Sequence, residues 1–80
     1  MGRILDRPLP VQEKEGYPAI FRWNGRSYPV EKIIDAWKDT GCWWENEGRK
    51  IFYRVMAGGG VFEIYLDTKR NTWFLYKIYD

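Results

Sequence analysis

The side chains that most often do chemistry in proteins are nearly absent from this sequence of 80 residues. It contains no histidine and one cysteine, and its single serine, Ser27, lies beside a predicted turn. General acid–base catalysis most often uses histidine, and zinc sites use histidine or several cysteines. Carboxylates remain, but no two of them have a spacing typical of a catalytic pair. The sequence therefore indicates a protein that is not an enzyme and holds no metal or other cofactor.

Aromatic and basic side chains are the other candidates, and their chemistry is binding. Aromatic residues make up 19% of the chain, and Tyr, Trp and Arg often dominate the energy of protein interfaces. Single-stranded nucleic acids are bound differently, by stacking bases on exposed rings beside Lys and Arg. A third alternative is that the rings simply fill the thin core of a small domain. The candidate binding residues are Trp43, Trp44, Phe52, Arg54, Tyr65, Trp73 and Lys77.

Most of these candidates fall in a region that alternates like β-strands. Apolar and polar positions alternate with a period of two in residues 50–56, 61–67 and 72–79, which is typical of half-buried strands. Glycine- or polar-rich turns separate the three segments. We predict a three-stranded antiparallel meander over residues 50–79.

The same alternation predicts which side chains face the core. Phe52, Arg54 and Tyr65 fall on the outward side, and Trp73 and Lys77 are expected to join them there. One ring of the Trp43-Trp44 pair would point outward as well if that segment is extended. The expected core residues are Tyr53, Val55, Phe62, Ile64, Leu66, Phe74 and Ile78.

The first half of the chain carries one strong turn signal and one ambiguous segment. Asn24-Gly25 stands between two β-type runs, and this dipeptide favours a type I′ hairpin. Residues 31–38 fit a 3.6-residue period, which indicates a short helix, but a β-bulge would produce the same shift in a strand. We favour a bent strand and keep the helix as the alternative.

The N-terminal segment differs in composition from the rest of the chain. Residues 1–16 are polar and contain Pro8 and Pro10, so we predict a flexible or loosely packed arm. Residues 17–80 are expected to form a single β-rich domain. The predicted fold class is mainly β, a small antiparallel barrel or strongly twisted sheet of 5–6 short strands.

The net charge does not identify a partner, but the cysteine content helps to predict the cellular compartment. The net charge is +2, which is lower than that of most dedicated nucleic-acid binders. Cys42 has no second cysteine to pair with. The sequence shows no export signal and no apolar run of about 18 residues, so we expect a cytoplasmic protein that does not enter a membrane.

An ordered set of short motifs resembles a known family. The set covers the chain from about Arg7 and comprises Pro18-x-x-Phe21-x-Trp23-x-Gly25-Arg26-x-Tyr28-x-Val30, Trp43-Trp44, Tyr53-Arg54-Val55, Phe62-Glu63-Ile64-Tyr65 and Trp73-Phe74-Leu75. It is similar to a small bacterial family of unknown function and to the C-terminal segment of ImuB-like proteins. Those proteins are inactive homologues of Y-family DNA polymerases and belong to a DNA-damage mutagenesis cassette.

The resemblance implies a role around translesion synthesis. In the ImuB-like family the C-terminal region recruits an error-prone polymerase and a RecA-like accessory protein, so these are the implied partners. The chain departs from that family because it has no polymerase-like domain and no sliding-clamp peptide. Ile33-Ile34-Asp35-Ala36 also replaces a Gly-Pro-Glu-Arg-Ile segment of the larger proteins, and Gly-Pro at that point favours a strand over a helix.

These observations predict a non-catalytic protein-interaction module that is an accessory to bacterial DNA-damage tolerance. The alternative is direct binding of single-stranded nucleic acid by an aromatic and basic sheet face. The two differ in their response to salt, because counterion release makes nucleic-acid binding fall steeply as salt rises.

Overall fold

The computed structural model describes residues 3–39 and 49–79, and the regular elements in these ranges are all β-strands. They are β1 (Arg3–Pro8), β2 (Val11–Lys14), β3 (Tyr17–Trp23), β4 (Arg26–Asp39), β5 (Lys50–Ala57), β6 (Gly60–Asp67) and β7 (Thr72–Tyr79). They form one antiparallel sheet in the order β1-β7-β6-β5-β4-β3-β2. The predicted mainly-β class and strongly twisted sheet are confirmed, with seven strands in place of five or six. No helix in the described ranges is long and apolar enough to cross a membrane.

The sheet curls into a half-barrel, and the hydrogen bonds of the short connection between β1 and β2 show how closely its two ends approach each other. The N–H of Leu9 donates to the carbonyl of Trp73 on β7 at 2.9 Å, whereas the carbonyl of Pro10 accepts from the N–H of Arg22 on β3 at 3.0 Å. Adjacent Cα atoms are only about 3.8 Å apart. Strands β7 and β3 therefore approach each other here, although β4, β5 and β6 lie between them in the sheet.

The N-terminal segment is paired into the sheet at both ends, which corrects the expectation of a flexible or loosely packed arm. β1 pairs with β7, and β2 pairs with β3. The turn between β2 and β3 is Glu15-Gly16, with φ of 54° and 83°, as a type I′ hairpin requires. Glu-Gly is not a strong sequence signal for that turn, so composition alone suggested an arm. Leu9 is 4% exposed in the core and anchors the segment.

The hairpin and the ambiguous segment in the first half are both settled by pairing. Asn24 and Gly25 have φ of 52° and 76° between the paired residues Trp23 and Arg26, which confirms the predicted hairpin. β4 continues through residues 31–38 as one strand, so the bent strand is confirmed and the helix is wrong. Its register against β5 shifts twice, between Val30 and Lys32 and again after Ile33. Pairing with β5 stabilises this strand, whereas an isolated helix of the same length would be only marginally stable.

The core lies on the concave face of the curled sheet. Phe21 on β3 contacts Phe62 on β6, with ring centroids 5.0 Å apart, because the curl brings non-neighbouring strands together. Of the expected core residues, Leu66 and Ile78 pack against the core from partly buried positions. The core cluster itself consists of Leu9, Phe21, Tyr53, Val55, Ala57, Phe62, Ile64, Trp73 and Leu75.

Strand β7 departs from the predicted alternation at one residue. Glu63 pairs with Lys77, but the next residue, Ile64, pairs with Leu75, so Tyr76 is an extra residue in a β-bulge. The bulge reverses the faces of the residues before it. Trp73 is therefore in the core and Phe74 is on the opposite face, and both sequence assignments were wrong.

Candidate functional site on the outer sheet face

The convex side of the sheet, which we call the outer face, presents its side chains in rows that cross from β4 to β7. Directly opposed residues in antiparallel strands lie close enough for their side chains to touch. One such row is aromatic, and neighbouring ring centroids in it are 5.5, 5.0 and 5.1 Å apart. We call it the aromatic row, and it consists of Trp37, Phe52, Tyr65 and Phe74.

The aromatic row is packed rather than open. Phe52 is 7% exposed and Tyr65 is 5% exposed. Tyr76, which the β7 bulge turns outward, sets its ring edge-on to both of them, at 5.2 and 6.0 Å. The central rings are consequently a second apolar layer, and their faces are not open to a stacking base.

A buried carboxylate lies beside the aromatic row. Glu63 is 4% exposed, and burying a charge is costly unless it is paired and hydrogen-bonded. Its Oε2 accepts from Nε and Nη2 of Arg54 at 3.4 and 3.3 Å. The hydroxyl of Tyr79 donates to the same oxygen in a short hydrogen bond. The carboxylate thereby anchors a cation and a phenol on the outer face.

Arg54 is held from three sides. Its guanidinium lies 5.5 Å from the ring centroid of Trp37 and 5.6 Å from that of Tyr79, within the range of cation–π attraction. Partial desolvation lowers the pKa of Arg54, but Tyr79 and Glu63 outweigh it and raise the pKa above its ordinary value. The side chain remains 38% exposed. Arg54 is thus a permanent cation with a fixed orientation and access to solvent.

Exposed apolar side chains adjoin Arg54 on the outer face. Ile34 is 43% exposed and Met56 is 39% exposed. The β4 bulge after Ile33 turns Ile34 outward, and Met56 lies directly opposite Val61 on β6. Together with Val61 and Tyr79, Ile34 and Arg54 line an open groove of about 380 Å³, which we call the Arg54 groove.

Four of the predicted binding residues are brought together on the outer face. They are Phe52, Arg54, Tyr65 and Lys77. The Nζ of Lys77 lies 5.0 Å from the ring centroid of Tyr79. Trp73 is instead in the core, and Trp43 and Trp44 lie outside the described residues.

Sequence reasoning missed part of the site. Met56, Val61 and Tyr79 fall on the outward side of the period-2 pattern, so that signal could have found them. Ile34 carried no such signal, because its direction depends on the position of a bulge. No group of three His, Cys, Asp or Glu side chains among residues 3–39 and 49–79 is placed to hold a metal ion.

Comparison with known proteins adds one relationship. A family model described as a domain of unknown function matches residues 3–80, which is nearly the whole chain. No curated protein and no solved structure matches it.

Proposed function

Because the chain belongs to the DUF6504 family of domains of unknown function, we propose its function from the outer face: it is a non-catalytic protein-interaction module. The observation that carries the proposal is the position of Ile34 and Met56 beside Arg54. These are two of the large apolar residues that the fold leaves exposed, and they flank a cation that is held in place. An exposed apolar patch next to Arg, Trp and Tyr is typical of protein interfaces.

We propose further that the module is an accessory to bacterial DNA-damage tolerance. Support for this comes from the resemblance of the chain to the C-terminal segment of ImuB-like proteins, which spans the strands that form the outer face. The proposed partner is accordingly an error-prone polymerase or a RecA-like accessory protein.

The packing of the outer face favours a protein partner over direct binding of single-stranded nucleic acid. Stacking platforms need accessible ring faces, but the central rings of the aromatic row, Phe52 and Tyr65, are nearly inaccessible. The carboxylate of Glu63 also occupies part of the hydrogen-bonding capacity of Arg54. A polyanionic backbone would meet that carboxylate at the centre of the site.

The test is affinity capture from bacterial cells after DNA damage. The wild-type domain is compared with an Ile34→Glu, Met56→Glu double variant, which puts charge on the proposed patch. Arg26→Glu is the control with the same change in charge, because Arg26 is exposed and pairs with Trp23 in the β3–β4 hairpin, away from the outer face of β4 to β7. All three proteins should have melting temperatures within about 2 °C, because exposed substitutions are usually near neutral.

Loss of an error-prone polymerase or RecA-like protein in the double variant alone supports the proposal. Equal capture by the double variant and wild type contradicts it. Binding of a short single-stranded oligonucleotide that weakens steeply between about 50 and 200 mM salt would favour the nucleic-acid alternative.

A further inference from the structure

We propose that the Arg54 groove binds an extended peptide segment of the partner in which an apolar side chain stands beside a carboxylate. This inference rests on the proposed function and names the chemistry that the partner presents.

The hydrogen-bond donors that the groove offers a ligand are the N–H groups of Arg54 that do not donate to Glu63. Nε and Nη2 donate to Glu63, but a guanidinium carries five N–H donors and this side chain is 38% exposed, so N–H groups remain for a ligand. A guanidinium donates well to a carboxylate, in a charge-assisted hydrogen bond stronger than a neutral one. Since Trp37 and Tyr79 already fix the orientation of this guanidinium, little side-chain freedom is lost when a ligand binds.

The walls of the groove are apolar. Ile34 and Val61 contribute aliphatic surface, and Tyr79 contributes a ring whose hydroxyl is already bonded to Glu63. A volume of about 380 Å³ is at the small end of the range for ligand pockets, about 300–1,000 Å³. It suits a side chain and its neighbours better than a large cofactor.

The charges around the groove favour a peptide with a few carboxylates over a polyanion. Lys32 lies opposite Met56, and Lys77 lies opposite Glu63, so cations stand on two sides of the groove. Two acids flank Arg54, however: Asp35 lies opposite Arg54 on β4, and Glu63 lies opposite Arg54 on β6. Discrete carboxylates can reach the cations and avoid these acids, whereas a continuous phosphate backbone would run across them.

The experiment is an NMR titration of the ¹⁵N-labelled full chain with synthetic peptides. The probe is acetyl-Gly-Ser-Glu-Leu-Glu-Ser-Gly-amide, and the matched controls replace both Glu by Gln or the Leu by Ser. We expect shifts confined to Ile34, Val61, Tyr79 and the Nε–H of Arg54. The Gln peptide should bind about tenfold more weakly or worse, because it loses a charge-assisted hydrogen bond. The Ser peptide should lose most of the remaining affinity.

Two protein variants support the peptide comparison. Arg54→Lys keeps the charge that pairs with Glu63 but loses the planar donors, and should weaken the probe severalfold. Lys50→Gln removes a cation from the outer face away from the groove, beside Tyr65, and should leave binding unchanged. Equal affinity for the Glu and Gln peptides, or shifts outside the groove, would overturn the inference. So would tighter binding of a single-stranded oligonucleotide at the same residues.

The failure of this inference differs from the failure of the proposed function. If partner capture is lost with Ile34→Glu, Met56→Glu but is unaffected by Arg54→Lys and by competing probe, the outer face binds a protein and the inference is wrong. If the probe binds the groove as described but the double variant still captures its partner, the inference holds and the proposed interface is wrong.

Discussion

The indole N–H of Trp73 donates a hydrogen bond to the carboxylate of Glu13, with Nε1 and Oε2 3.0 Å apart. These residues belong to β7 and β2, which are the second and the last strands in the order of the sheet. The bond therefore crosses the open side of the curl, next to the point where Leu9 and Pro10 connect the two ends. It also gives the polar edge of a buried ring its partner, which is usual for tryptophan in a core.

Removing that acceptor should destabilise the domain. Glu13→Ala leaves the indole N–H without its partner and should lower the free energy of unfolding by about 1 kcal/mol. Glu13→Gln keeps an acceptor oxygen and should cost less. Urea unfolding of the three proteins measures the difference, and equal stabilities for the Ala and Gln variants would show that the bond contributes nothing.

The bulge in β7 predicts that two adjacent residues differ in their importance to the core. Leu75 is fully buried, so Leu75→Ala should lower the free energy of unfolding by about 2–5 kcal/mol. Phe74 is half-buried on the outer face and stacks on Tyr65. Phe74→Ala should cost clearly less than the 3–5 kcal/mol or so typical of a core phenylalanine. Thermal unfolding ranks them, and a larger loss from Phe74→Ala would contradict the assigned faces.

The turn between β5 and β6 offers a test with a neighbouring control. Gly58 and Gly59 both have positive φ, 57° and 80°, so alanine at either position costs about 1–2 kcal/mol of backbone strain. A Cβ on Gly58 would also lie 2.6 Å from Cδ1 of Tyr28, whereas a Cβ on Gly59 meets nothing within 4 Å. Gly58→Ala should therefore lower the melting temperature more than Gly59→Ala. Equal losses would mean that the Tyr28 ring moves aside freely.

Tyr53 predicts a loss of stability at alkaline pH. Burial raises its pKa above the ordinary value of about 10, and Tyr17 and Glu13 raise it further. Between the unfolded and the folded pKa, the unfolded chain has released the phenolic proton but the folded chain still holds it. The contribution of the protonated Tyr53 phenol to the free energy of unfolding is therefore present in full below pH of about 10. It is lost as pH rises through the folded pKa.

The measurement is urea unfolding at a series of pH values from neutral to alkaline. The free energy of unfolding of the wild type should fall more steeply above pH of about 10 than that of Tyr53→Phe, which has no proton to release there. Tyr53→Phe removes one hydroxyl and leaves the rest of the sequence unchanged, so the difference between the two curves isolates Tyr53. Parallel curves would contradict the raised pKa.

Much of the β architecture followed from local chemistry in the sequence. Asn24-Gly25 predicted its hairpin because few dipeptides accept two consecutive positive φ angles. The alternation in residues 50–67 predicted the faces of β5 and β6, since nothing interrupts their mutual register. The outward positions of Phe52, Arg54 and Tyr65 follow from that alternation, and so does their place in one site.

What only the tertiary structure decided depends on bulges and on contacts between distant strands. One extra residue reverses every face before it, and its position is set by the partner strand. For this reason Trp73 lies in the core and Phe74 on the outer face, the reverse of the prediction, and Ile34 lies beside Arg54. The N-terminal strands were missed for a related reason. β1 and β2 are stabilised by pairing with β7 and β3 at opposite ends of the sheet, and residues 1–16 carry no local pattern that reveals those partners.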